Sequence, residues 1–341
     1  MTPRRPATTL SDVAALAGVS TATVSRCLNS PDQVVQATKD KVAAAVEALN
    51  YSPNFGARAM AARRTNTIGA IIPTMENAIF ARGLQAFQDE LRQHGFTMLV
   101  ASTSYDSDIE EEQIRALVAR GADALLLIGH ERSPDIYKFM EAQGVPCVVT
   151  WALDRNAARP SVGFDNAAAM QKLAAISIEM GHRNMALISA ETAYNDRARG
   201  RYLGVRAAMT AAGLDPSSLV FIETPYSIEN GEIAFEKVMQ SVPRPTVVFC
   251  GNDVLAMGAL RRAHQMGLSV PKEVSITGFD DLELAQIAIP PLTTVHVPHR
   301  EMGRRAALAL VNLVKEGKRI ETVELAAELV IRDTLAPVPK V

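Results

Sequence analysis

The residues from Leu10 to Asn29, LSDVAALAGVSTATVSRCLN, carry the pattern of two short helices meeting at an angle. Val13, Ala14, Ala17, Val24 and Leu28 fall on faces that close over one small core, and Gly18 interrupts the chain between them. Ser20 stands as N-cap of the second helix, so Thr21, Ala22 and Thr23 project from a helix start. In a helix-turn-helix that start enters a DNA major groove, where hydroxyl and methyl groups meet base edges and phosphates. A two-helix corner of any all-α domain shares the pattern. A second group of chemically able residues falls at the ends of apolar runs: Asp280 ends SITGFD, Asn252 and Asp253 follow VVFCG, and Arg201 opens a helix after NMALISA and its loop. Ligands of open α/β lobes meet the carboxyl ends of the strands. An arginine fork and an aspartate acceptor facing one cleft hold adjacent hydroxyls, or a carboxylate on the arginine side. Helix capping competes for Asp280, Asn252 and above all Asp253, and a surface role competes for Arg201.

The elements that must position these residues follow from periodicity. Helices are predicted over 10–17, 21–28 and 36–49, after an arm of residues 1–8, with Pro31 between the second and third. Pro53 stops the third. The stretch from Asn54 to Ala62 is Ala-rich, contains Gly56 and offers no broad apolar face, so as an isolated helix it is marginal. From Thr67 the pattern becomes alternating strands (68–73, 96–102, 123–129, 145–151) and helices (79–94, 108–120, 134–143). Phe80, Leu84, Phe87 and Leu91 share one side of the first of these helices, a core face. The alternation restarts after Asp165, with helices near 167–180, 198–212, 230–240 and 254–265 and strands 184–190, 219–223, 246–251 and 274–280. Fully apolar strands between amphipathic helices predict parallel sheets covered on both faces. Two such sets in series predict two lobes with a ligand between them. Helix 299–316 and strand 324–333 come last.

With 341 residues, 48% of them apolar and 21% charged, the chain has the composition of a globular protein of two or three domains. No apolar run reaches membrane-spanning length, and Met-Thr-Pro-Arg-Arg-Pro precedes no apolar signal region, so a cytoplasmic protein is expected. Cys27, Cys147 and Cys250 are far apart and in no metal-ligand spacing. Residues 1–64 hold eight Lys and Arg against four acids, while the remainder is net acidic, so a polyanionic partner suits the first part only. No nucleophile elbow, phosphate-binding loop, HExxH or CxxC is present, and His94, His130, His182, His264, His296 and His299 form no motif. No catalysis, metal or cofactor is expected. A solute-binding protein for transport would share residues 67–335 but would need export and has no use for the first 50 residues; an enzyme on a doubly wound fold lacks its catalytic constellation.

Val-Ser-Thr-Ala-Thr-Val-Ser-Arg, the helix from Gln36 to Leu49 and Asn50-Tyr51-Ser52-Pro53-Asn54 closely resemble the headpiece of the LacI/GalR family of bacterial transcription regulators, and the resemblance runs to about residue 335. It implies an all-α helix-turn-helix headpiece (8–53), a hinge (54–65) and a two-lobed α/β domain of the periplasmic-binding-protein type (66–337). The first lobe takes 66–164 and 297–320, the second 165–296 and 321–335. It implies that Arg26 reads bases, as arginine does when it donates to guanine, that Thr23, Ser25 and Asn29 touch phosphate or cap, and that Tyr51 and Asn54 belong to the same surface. Met60 stands where the family usually carries a leucine wedge for the minor groove. For the cleft it implies effector contacts by Ile79 and Phe80 from the first lobe and by Arg201, Tyr226, Asn252 and Asp280 from the second. Trp151 occupies a strand end where sugar-binding relatives often carry aspartate, a place for stacking on a sugar face. Asn195, Arg197 and Arg199 belong to a second-lobe loop with two added cations, so an anionic sugar derivative and a neutral sugar are expected equally. The partners implied are double-stranded operator DNA, a carbohydrate-like effector and a second copy of the chain.

Overall fold

A computed structural model describes residues 8–52, 64–76 and 78–338. The chain forms two compact units, Met1–Thr65 and Asn66–Val341. In the first, helices α1 (Leu10–Ala17), α2 (Thr21–Asn29) and α3 (Gln36–Ala48) close over Val13, Ala14, Val24, Val42 and Ala45, with Leu28, Leu49 and Tyr51 packed around them. Each boundary has a local cause. Thr9 and Asp12 cap α1 reciprocally: the Asp12 N–H donates to Thr9 Oγ1 at 3.3 Å and the Thr9 N–H to Asp12 Oδ2 at 2.8 Å. The Thr9 N–H and the Thr9 hydroxyl, both donating to Oδ2, hold the Asp12 carboxyl below its ordinary range. Gly18 ends α1 at φ 66°, a left-handed conformation that glycine adopts without strain. Ser20 then caps α2, accepting from the Thr23 N–H at 3.1 Å. Asn50, at φ 45°, turns the chain so that the Tyr51 N–H donates to the Val46 carbonyl at 2.9 Å, which seats Tyr51 against the core.

The second unit contains two parallel sheets. Strands β1 (Thr67–Ile72), β2 (Thr97–Ser102), β3 (Ala124–Ile128), β4 (Cys147–Thr150), β5 (Ser161–Gly163) and β11 (Val323–Glu324) build the first in the order β11-β5-β4-β3-β1-β2. Strands β6 (Met185–Ser189), β7 (Val220–Glu223), β8 (Val247–Cys250) and β9 (Ser275–Thr277) build the second in the order β7-β6-β8-β9. Helices α4 (Ala81–Gln93), α5 (Ser107–Ala119) and α6 (Pro134–Ala142) connect the first sheet, and α7 (Asn166–Glu179), α8 (Asp196–Ala211), α9 (Ile228–Val238) and α10 (Asp253–Gln265) serve the second. Every residue of β1, β3, β4, β6 and β8 is buried, as a sheet covered on both faces requires. The largest apolar cluster is continuous through both lobes, from Ile68, Phe87 and Leu126 through Phe164 to Phe249 and Phe279.

The structure departs from the sequence reading at the short pieces. Sequence periodicity predicts one strand over 324–333; the structure has two, β11 and β12 (Glu328–Val330). β11 pairs in parallel with β5, and β12 pairs antiparallel with β10 (Thr294–His296). The Leu325 N–H donates to the Gly163 carbonyl at 2.7 Å, and the chain then leaves that sheet to reach β10. Residues 323–324 therefore belong to the first sheet, where the sequence places them with the second lobe. The helix predicted from residue 79 begins at Ala81 and leaves Ile79 and Phe80 in the preceding turn. Helix α11 (Glu283–Ile287) precedes β10, and α12 (His299–Glu316) crosses back to lie on α4, β3, β4 and β5. Gly303 of α12 meets the backbone of Gly83 so closely that a Cβ at Gly303 would collide with the Gly83 carbonyl oxygen.

Candidate functional site

On α2 the core takes one face and leaves the other bare. Val24 is fully buried and Leu28 packs beside it; Thr21, Ala22, Arg26 and Asn29 are exposed, with Ser25 half-exposed among them. Thr23 is drawn into the cap, its hydroxyl 2.9 Å from that of Ser20. Asn29 Nδ2 donates to Ser25 Oγ at 3.2 Å, which fixes both side chains one turn apart. The Arg26 guanidinium forms no ion pair with any described residue, so it is available to an external acceptor. Asn54 and Met60 lie outside the described residues.

In the second unit the carboxyl ends of β1, β2, β6 and β7 share a cavity of about 840 Å³. Tyr105, Tyr194, Asn195 and Tyr226 line it together with Thr74, Thr224 and the carboxylates Glu76, Glu191 and Glu223. That volume falls in the upper part of the roughly 300–1,000 Å³ range of small-molecule clefts. Behind Tyr226 lies a buried polar group. Arg201, on α8, directs Nη2 to the Tyr226 hydroxyl and Nη1 to Asn166 Oδ1, each at 2.7 Å, and its guanidinium carbon stands 4.9 Å from the centroid of Phe279. Its Nε is buried without a hydrogen-bond partner among the described residues. Asp280 follows Phe279 at φ 107°; its buried carboxyl is pushed well above the usual carboxylate range by loss of solvent, which the Arg201 charge only partly offsets. Asn252 caps α10 through Oδ1, accepting from the Leu255 N–H at 2.9 Å, while its Nδ2 is buried with no hydrogen-bond partner among the described residues.

Arg197 and Arg199, which the sequence places in a loop, lie in the first turn of α8 because Asn195 starts the helix earlier than expected, and both are matched inside the protein. Arg197 pairs with Asp196 at 2.9 Å and donates to the Ile128 carbonyl at 3.2 Å. Arg199 pairs with Glu131 and donates to the Thr192 carbonyl at 2.9 Å. Asn195 caps α8, accepting from the Ala198 N–H at 3.2 Å.

Of the residues the sequence singles out for the cleft, Asn195 and Tyr226 line the cavity, and Arg201 is joined to it through Tyr226. Arg197 lines a neighbouring cavity of about 340 Å³. Ile79, Phe80 and Trp151 are buried in the shared core, where Phe80 meets the indole edge-on with centroids 5.3 Å apart. Asp253 is a structural acceptor, taking the Thr294 hydroxyl at 2.6 Å and the Leu282 N–H at 2.7 Å. Sequence reasoning does not find Asn166, Tyr105, Tyr194 or His299. Asn166 reads as an ordinary helix start, and the others lie in loops or at a helix end outside any repeat.

A helix-turn-helix unit with a bare recognition face, joined to two parallel lobes whose strand ends share a polar cleft, defines a DNA-binding regulator that senses a small molecule. The profile of bacterial regulatory proteins of the lacI family matches residues 9–54, and that of the periplasmic binding protein-like domain matches residues 174–335. The chain is 33% identical over 329 residues to the HTH-type transcriptional regulator GntR of Pseudomonas aeruginosa, covering 96% of this chain and 95% of that one. Its structure is similar to the lac repressor dimer bound to operator and an anti-inducer, with a TM-score of 0.85 at 26% identity over 97% of this chain and all of the other. It is also similar to a complex of the regulator CelR with cellobiose, with a TM-score of 0.69 at 28% identity over 97% of this chain and all of that one. The chain belongs to the LacI family of bacterial transcriptional regulators; it is a regulator, not an enzyme. Among the described residues no helix is long and apolar enough to cross a membrane.

Proposed function

We propose that the chain is a cytoplasmic, homodimeric operator-binding repressor whose hold on DNA is set by a neutral carbohydrate bound between the lobes. On the DNA, Arg26 donates to guanine, Thr21 and Ala22 meet neighbouring base edges, and Ser25 and Asn29 reach phosphate, while Thr23 holds the helix start. Tyr51 anchors the segment leading to Asn54 and to Met60, the minor-groove wedge. One headpiece reads one half-site, so a near-palindromic operator calls for a twofold dimer. The exposed apolar group of Leu284, Ile287 and Ile289 suits the face of that dimer, with Ile287 72% and Ile289 95% exposed in the single chain.

The observation that carries the effector reading is that two of the buried donors without an acceptor among the described residues, Arg201 Nε and Asn252 Nδ2, belong to side chains at this cleft: Arg201 is bonded to Tyr226 and stands against Phe279, next to the buried Asp280, and Asn252 follows β8. Buried polar groups are nearly always matched, and a polyhydroxyl ligand supplies the missing partners. The walls support a neutral ligand. Arg197 and Arg199 are neutralised by Asp196 and Glu131, and the cavity itself presents three carboxylates and three tyrosines. Cellobiose, the ligand of one structural relative, is of this class.

The test is fluorescence anisotropy of the full chain on genomic fragments from upstream of its own gene. Neutral sugars, sugar acids and sugar phosphates are compared at one salt concentration, because phosphate contacts alone give salt-dependent binding to any sequence. A preferred fragment whose affinity changes with a neutral sugar is the expected result. A response to sugar acids or phosphates alone overturns neutrality, and binding no tighter than to random DNA overturns the operator reading.

A further inference from the structure

A hydrogen-bonded path runs without a break through six residues of both lobes. From the Tyr226 hydroxyl it passes through the Arg201 fork to Asn166 Oδ1, with both arms at 2.7 Å. Asn166 Nδ2 donates to the Trp151 carbonyl at 3.0 Å. The Trp151 indole N–H donates to His299 Nδ1 at 3.0 Å, and His299 Nε2 donates to the Asp280 carbonyl at 3.3 Å. The two ends of the path, Arg201 with Tyr226 and the backbone of Asp280, belong to the proposed effector site. Its middle does not.

The middle is unusually constrained. Trp151 follows β4 at φ 60°, a region that a bulky residue enters only when its surroundings determine it. Its N–H donates to Met302 Sδ at 3.1 Å, its ring lies against Gly83 where any Cβ would collide with the indole, and Phe80 packs on it edge-on. His299 is the first residue of α12, the helix that crosses back onto α4, and its centroid lies 5.9 Å from that of the indole. Burial depresses the imidazole to about 4, so the ring is neutral: Nδ1 accepts and Nε2 carries the proton. One ring therefore joins the first-lobe strand end to the second-lobe strand end.

We infer that Trp151 and His299 are positioning residues of the effector site, which fix the backbone of Asp280 and, through Asn166, the guanidinium of Arg201, and which carry a change at those two residues into the packed pair α4 and α12. The inference rests on the proposed effector reading. In that role a donor–acceptor pair in one tautomer is required, whereas an apolar filler of the same size would satisfy a purely structural role.

Trp151 is the only tryptophan, so the full-length protein carries a single indole N–H resonance that reports on the bond to His299. In ¹⁵N-tryptophan-labelled, ligand-free protein, Asp280→Asn and Arg201→Lys act at the two ends of the path, and each is expected to move that resonance by more than its line width. In a His299→Phe background the response to Asp280→Asn is expected to vanish, while His299→Gln, which keeps a donor toward the Asp280 carbonyl, restores part of it. Two end-point variants and two replacements of His299 are used so that one misfolded protein does not decide the outcome, and circular dichroism identifies any that fails to fold. An indole resonance unmoved by both end-point variants overturns the inference; so does a response that persists without His299. No sugar enters the measurement, so its failure is distinct from failure of the effector reading, which shows as operator binding insensitive to every compound.

Discussion

At the scale of single residues, the chain divides between side chains that satisfy one another and a few that do not. Arg26 belongs to the second kind, exposed on the bare face of α2. Arg26→Ala is expected to cost about 1–3 kcal/mol of operator affinity, concentrated at one base pair, whereas loss of a phosphate contact weakens all sequences alike. Anisotropy titrations on operators altered at each position distinguish the two. Ser20 holds the same helix start, and Ser20→Ala is expected to destabilise the headpiece by about 1 kcal/mol, read from thermal unfolding of the full chain. Asp253 shows what burial does to a charge. Loss of solvent lifts its carboxyl from an ordinary 3.8 to about 7, against the opposing pull of the Thr294 hydroxyl and the Leu282 N–H, with Asp281 raising it further and Arg332 lowering it. The folded state thus holds this proton more tightly than the unfolded state. Its stabilising contribution is complete below pH 3.8 and is withdrawn as the pH climbs toward 7. Asp253→Asn keeps the Leu282 bond and lets the Thr294 hydroxyl accept, so denaturant titrations of this variant should lose that downward slope between pH 4 and 7.

At the scale of elements, close backbone approach fixes the geometry. Gly303 and Gly83 allow α12 and α4 to touch, and Gly303→Ala is expected to destabilise the second unit by about 1–3 kcal/mol, measured by urea unfolding. The elements legible in the sequence are those with enough residues to show a period: α1 to α3, the buried strands β1, β3, β4, β6 and β8, and the helices between them. β5 and β10 have three residues each and α11 has five, too few for any alternation to register, and the break between β11 and β12 is set by which sheets lie within reach. The same limit governs the cleft. The places of Asn252 after β8 and Asp280 after β9, and of Arg201 on the helix after β6, are legible because each follows a long apolar run. Asn166 and His299 are not, because their importance comes from partners far off in the chain: Asn166 bonds to Trp151 and Arg201, and His299 to Trp151 and Asp280. The charge of residues 195–199 is legible, but their place at the start of α8 and the neutralisation of Arg199 by Glu131 are not.

At the scale of the whole molecule, the exposed isoleucines of α11 and the loop beyond it make the proposed dimer testable. Ile287→Asp and Ile289→Asp place charge in an apolar contact and are expected to shift the protein to monomer in sedimentation velocity. Operator affinity should fall with it, because the two half-sites are then bound independently. Wild-type protein that sediments as a monomer at micromolar concentration, or variants that remain dimeric, would place the interface elsewhere or remove it.

The path of the chain between the lobes also bears on how the protein is made. The headpiece completes its core within the first 51 residues, and the sheet of the second lobe is complete by Thr277. The first lobe lacks the helix that covers α4 and its own edge strand until His299–Glu316 and Val323–Glu324 have been synthesised. On the ribosome, then, the part that reads DNA closes its core first, while both lobes wait for the end of the chain: the first for α12 and β11, the second for β12 against β10 and for the Thr334 carbonyl that accepts from the Ile276 N–H. A nascent chain stalled before residue 299 would carry a finished DNA reader on a chain whose α4 has an uncovered apolar face, a species for chaperones and proteases rather than for an operator.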